Sequence, residues 1–93
     1  VNEATDDSER FMALVADLQK GDPRLSPLQA AIILAAEQGI AHDSRTFARV
    51  FGAAHALVLR ELNLLAEQGE RLRIVSRNAR TQRTEYAVDP AAR

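Results

Sequence analysis

Five arginines (Arg71, Arg73, Arg77, Arg80 and Arg83) fall between positions 71 and 83, with no acidic residue among them. A guanidinium keeps its charge at any physiological pH and presents a donor fork that matches phosphate oxygens. An acid-free run of them is therefore chemistry for gripping phosphates. Arg77, Arg80 and Arg83 lie at or beside a predicted hairpin tip, 78–81, where arginine can enter a narrow groove of negative potential. Asn78, Thr81 and Gln82 beside them can bond phosphate oxygens. Upstream, Arg60 and Asn63 share one face of a predicted helix. Arg60 can contact a guanine bidentately, and Asn63 can pair with an adenine or a phosphate. His55 and Ala56 stand at the exposed start of that helix. Arg45 and Arg49 lie near the preceding turn, although Arg49 could equally form a surface ion pair worth little.

Other chemistries find less support. The chain has no cysteine, which excludes disulfides and thiolate metal sites. His42 and His55 are the two histidines, and with Asp43 they match no metal-ligand spacing. There is no nucleophile elbow, phosphate-binding glycine loop or convergent carboxylate pair, so neither an enzyme nor a cofactor is expected. No apolar stretch approaches the roughly 18 residues of a membrane span, and the acidic start is unlike a signal peptide. The expectation is a cytoplasmic protein without a membrane partner.

The elements that must position these residues are legible in the pattern. Phe11, Leu14, Val15 and Leu18 repeat at i, i+3, i+4, i+7, which predicts a helix over 8–20 with Asp7 or Ser8 as its cap and residues 1–7 frayed. Gly21 and Asp22-Pro23 end it. Ser26-Pro27-Leu28-Gln29 is a capping box with proline at the first helical position, and it opens a nearly apolar helix that Gly39 closes. Ile40-Ala41-His42 suits a short strand. Asp43 or Ser44 caps a third helix whose apolar face is Phe47, Val50 and Phe51. Gly52 turns the chain into a fourth helix over 53–68, capped by Gly69. The period then changes from 3.6 to 2: Leu72 and Ile74 face one way and Arg71, Arg73 and Arg77 the other, with Thr84, Tyr86 and Val88 alternating on the return strand. Pro90 is expected to close the fold. Ninety-three residues make a single domain.

The formal net charge is −1, but it is unevenly distributed. Residues 1–42 hold three basic and seven acidic side chains, whereas residues 43–93 hold nine arginines and six acids. A domain with near-neutral total charge and a one-sided anion-binding surface has this form.

A short helix, a long helix and a basic hairpin, in that order, are the parts of a winged helix-turn-helix: mainly α with a small β wing, here four helices and a two- to three-stranded antiparallel hairpin. The Leu25-Ser-Pro-Leu-Gln-Ala segment, the Phe47-Ala-Arg-x-Phe-Gly turn, the helix carrying Val58, Arg60, Leu62, Leu65 and Gly69, and the arginine-rich hairpin resemble the MarR-type winged-helix DNA-binding family. The likeness covers residues 25–88, the expected core of a domain spanning 1–93.

The resemblance implies a homodimeric transcriptional regulator bound to double-stranded DNA, with helix 53–68 in the major groove and the 71–88 wing on backbone and minor groove. Family members carry further helices after the wing for dimerisation and for part of a small-molecule effector pocket. This sequence stops shortly after Pro90, so dimerisation is expected to rest on Phe11, Leu14, Val15 and Leu18, and an effector pocket is left open. Leu57, Leu59 and Leu64 widen the apolar stripe of the fourth helix. Either they pack beneath the wing and the first helix, or the helix faces another protein and the chain is a protein–protein interaction module on a winged-helix scaffold. The arginines favour the first arrangement.

Overall fold

The computed structural model describes residues 3–89, with side chains from residue 7 onward; Pro90 lies outside the described residues. The described residues are mainly helical, with four helices followed by a two-stranded antiparallel hairpin. Among the described residues no helix is long and apolar enough to cross a membrane.

Helix α1 spans Glu3–Gly21. It starts ahead of the expected caps, so Asp7 and Ser8 lie inside it; of the segment expected to be frayed, residues 3–7 are helical and residues 1–2 lie outside the described residues. The backbone is already helical through residues 3–6, so the N–H groups that follow Asp7 and Ser8 have helical partners and need no side-chain cap. Val15 is buried, with Phe11 and Leu18 packed at the margin of the core. Leu14 stays 41% exposed. Beyond Gly21, the Asp22 carboxylate accepts the Arg24 backbone N–H at 3.2 Å and turns the chain.

Helix α2, Pro27–Glu37, begins with the capping box that the sequence predicts. The Gln29 N–H donates to Ser26 Oγ and the Ser26 N–H donates to Gln29 Oε1, each at 3.1 Å. It ends with Gly39 at φ 75°, where Ile40 N–H reaches Ala35 O at 2.8 Å. Ala30 and residues 32–36 are all buried, which makes α2 the hub of the core. Around it lie Leu25, Ala41, Phe47, Val58, Leu62, Leu65, Leu72 and Tyr86.

Helix α3, Ser44–Phe51, is capped by Asp43, whose Oδ1 accepts the Thr46 N–H at 2.8 Å. Because Asp43 turns the chain into a helix at once, residues 40–42 form no strand. What remains of the expected third strand is one bridge, Asp43 to Glu85, and a Tyr86 N–H bond to His42 O at 3.1 Å. Of the predicted apolar face of α3 only Phe47 is buried. Val50 is 51% and Phe51 36% exposed, with the Phe51 ring stacked on Phe47 at 4.4 Å.

Helix α4 spans His55–Gln68 and so begins two residues after the predicted start at 53. The Ala53 N–H is engaged by Ala48 O at 3.0 Å and belongs to the end of α3. Val58, Leu62 and Leu65 face the core as expected. The other leucines do not seal beneath the hairpin: Leu59 is half-buried, while Leu57 and Leu64 are 42% and 41% exposed.

Strands β1 (Leu72–Arg77) and β2 (Thr84–Val88) pair Leu72 with Val88 and Ile74 with Tyr86. A bulge at Val75 then shifts the register, so that Ser76 faces Glu85 and Arg77 faces Thr84. Strict alternation would place Arg77 with Arg73 on the outer face. One extra residue reverses that assignment, because side chains alternate with period two.

Candidate functional site

The side of the hairpin tip facing α3 forms an open cleft of about 880 Å³. Asp43, Arg45, Thr46 and Arg49 line it from the α3 side, Ala53 and His55 from the start of α4, and Asn78, Arg80, Thr81 and Arg83 from the hairpin. Four arginines and one buried aspartate give it a strong positive balance. Among the described residues neither Arg49 nor Arg80 has a salt-bridge partner.

The cleft is held in shape by bonds that tie the hairpin to α3. Arg45 donates from Nη2 to Thr81 O at 2.6 Å. Arg83 donates from Nη2 to Asp43 Oδ2 at 3.2 Å, and the Thr84 N–H donates to Ser44 Oγ at 3.0 Å. Burial pushes the Asp43 carboxyl up, but the Thr46 N–H and hydroxyl and the Arg83 guanidinium outweigh it and hold the group below the usual carboxylate range. Asp43 therefore stays ionised while it caps α3 and anchors the hairpin.

His55 meets the same Ser44 hydroxyl, with Nε2 at 2.8 Å from Oγ. Burial lowers its imidazole below the ordinary value, Arg45 adds to the effect and Asp43 opposes it. A neutral ring positioned by Ser44 is the result, so His55 is a strut of the cleft as well as a lining residue. The α4 start beside it has Ala54 as N-cap and no side-chain cap bond, which leaves its first amides to solvent or to a ligand.

The tip itself is a self-bonded turn. Asn78 Oδ1 accepts the N–H groups of Arg80 and Thr81 at 2.9 and 3.1 Å. Thr81 Oγ1 accepts the Arg83 N–H at 3.2 Å. Both residues, expected as phosphate binders, use those oxygens to shape the loop that presents Arg80. Gln82 completes the loop at φ 64°.

On α4, Ala56 is exposed, and Arg60 is 73% exposed with its Nε 3.3 Å from Glu61 Oε2. The Glu61 carboxylate is buried and also accepts the Ser26 hydroxyl at 3.0 Å. Asn63 is engaged by the hairpin: Arg77 Nη2 donates to its Oδ1 at 2.7 Å. Arg71 is not part of the basic surface at all. It is 15% exposed, and its Nε donates at 3.1 Å to the buried Asp22, which Arg24 also contacts. Sequence reasoning missed Ser44 and Asp43 as the joint between hairpin and helix. A cap residue is legible locally, but its second partner 40 residues away is not.

The four residues expected to form a dimer seam are not one free surface either. Val15 is core and Leu18 packs against it, whereas Phe11 lies 5.3 Å from the Phe51 ring. The open apolar surface next to α1 is a groove of about 630 Å³ lined by Phe11, Met12, Leu14, Ile40, Val50 and Phe51, with Asp7, Ser8, Arg10 and Gln38 at its edge. Among the described residues no cluster of His, Cys, Asp or Glu could hold a metal ion. Comparisons with family models, curated proteins and solved structures found no match to this chain.

Proposed function

We propose that this chain is a winged-helix domain of MarR type that binds double-stranded DNA and acts as a homodimeric transcriptional regulator in the cytoplasm. The observation that carries this reading is the convergence of Arg45, Arg49, Arg80 and Arg83 on one cleft beside the uncapped start of α4. Arginines and helix-start amides together suit a phosphate backbone. The four-helix order with a terminal hairpin is compatible with the winged-helix scaffold. On it α4 takes the major groove through Ala56, Arg60 and Asn63, while the hairpin places Arg80 on the adjoining backbone or minor groove.

The second copy docks on the groove beside α1, because Met12, Leu14, Ile40, Val50 and Phe51 there are exposed large apolar side chains in one patch. Binding to random duplex at low salt tests the main reading. Wild type binds in or below the range of about 10⁻⁴ to 10⁻⁶ M, and the Arg49→Ala, Arg80→Ala double variant loses affinity for every duplex and flattens the salt dependence of log K by about one unit per lost phosphate contact.

Exposed Leu57 and Leu64, a heptad apart on α4, favour a second reading in which this helix docks a protein. Absence of any duplex binding at tens of micromolar would select it.

A further inference from the structure

We infer that Arg77 and Asn63 act as one recognition unit that reads hydrogen-bond acceptors on a base edge, guanine rather than adenine; this rests on the DNA-binding reading above. The Val75 bulge moves Arg77 to the hairpin side paired with Thr84, and from there its Nη2 reaches Asn63 Oδ1 at 2.7 Å. Arginine is a donor only, so the contact fixes which end of the carboxamide faces the hairpin: the oxygen. The Nδ2 amide is left as the end available to a ligand.

Asparagine reads adenine by pairing its oxygen with N6–H and its nitrogen with N7, so both ends must face the same base. With the oxygen turned to Arg77, Asn63 offers donors alone. One turn earlier, Arg60 is 73% exposed and uses Nε toward Glu61, which leaves the terminal nitrogens of its fork. Glu67, one turn further, is the exposed acceptor on this face and marks its far end. With Arg60 one turn before it, Asn63 Nδ2 presents a donor complementary to guanine N7 or O6. Arg77 is then a positioning residue for Asn63, and the bulge is what makes it one.

Selection from a random duplex pool with wild type, Arg77→Ala, Arg77→Lys and Asn63→Asp tests this, with far-ultraviolet circular dichroism confirming that each substitution leaves the fold intact. Wild type and Arg77→Lys enrich guanine at the position that Asn63 contacts. Arg77→Ala frees the oxygen and shifts that position toward adenine, by roughly five- to hundred-fold in relative affinity. Asn63→Asp keeps the Arg77 contact but removes the donor, and it loses the guanine preference. Adenine enrichment by wild type overturns the inference, as does an Arg77→Ala variant that weakens all duplexes equally without changing base preference. Wild type that binds no duplex at low salt overturns the DNA-binding reading itself, an outcome distinct from either of these.

Discussion

Ser44 and His55 belong to different helices, yet the Ser44 hydroxyl sits 2.8 Å from His55 Nε2 and also accepts the Thr84 backbone N–H at 3.0 Å. One buried oxygen thus joins the start of α3, the start of α4 and the first residue of β2. The hairpin is positioned relative to the long helix through this joint and the neighbouring Asp43–Arg83 pair.

Ser44→Ala removes the acceptor of a buried amide as well as the histidine's partner. Leaving a buried donor unmatched costs about 1–3 kcal/mol, and the loss falls on the hairpin more than on α2. Chemical denaturation measures the total, and amide exchange at Thr84 and Tyr86 locates it. A variant as stable as wild type, with unchanged exchange in β2, would show that Ser44 does not join these elements.

His55 makes stability depend on pH in a defined direction. Its folded value lies below the ordinary 6.5, so on acidification the unfolded chain takes up the proton first. In the window between the two values the unfolded state carries more protons and stability rises with pH. The contribution is complete above 6.5 and declines as pH drops through that window. Denaturation at pH 7.5 and 5.5 checks it: the stability difference between wild type and His55→Gln narrows at the lower pH. A difference of equal size at both would contradict the assignment.

Phe51→Glu tests the proposed dimer seam. The ring is 36% exposed beside Met12, Leu14, Ile40 and Val50, and a carboxylate there would be desolvated by a docked copy. Sedimentation or light scattering should report a dimer for wild type and a monomer for the variant. Because Phe51 also stacks on Phe47, Val50→Glu serves as the control that spares the core. Two dimeric variants would move the seam elsewhere.

Gln82 holds φ 64°, in the left-handed region that costs a residue with a Cβ about 1–2 kcal/mol. Glycine avoids that cost but loses more chain entropy on folding. Gln82→Gly should therefore stabilise the hairpin by a net of about 0.5–1 kcal/mol, read as a higher denaturation midpoint. An unchanged or lower midpoint means the loop carries no such strain.

Some of this was legible in the residues alone. The Ser26–Gln29 capping box, the Asp43 cap and the glycine stops at 39, 52 and 69 all depend on partners within a turn or two, so local spacing determines them. The core face of α4 followed from the 3.6-residue period, and the inward phase of Leu72, Thr84 and Tyr86 from the period of two. The start of α4 at His55 is not legible in the pattern, because Ala53 serves the preceding helix end and no side-chain spacing marks that role. The fates of the arginines were out of reach as well. Arg71 meets Asp22, Arg83 meets Asp43 and Arg45 meets Thr81 across 36 to 49 residues, while Arg77 meets Asn63 only because a bulge reverses its face. Sequence by itself determined which elements form and where most of them stop, since those are short-range backbone and capping effects. Tertiary structure decided which guanidinium groups are consumed internally and which remain for a ligand, since a charge's partner is set by the three-dimensional packing that brings distant segments within hydrogen-bond distance.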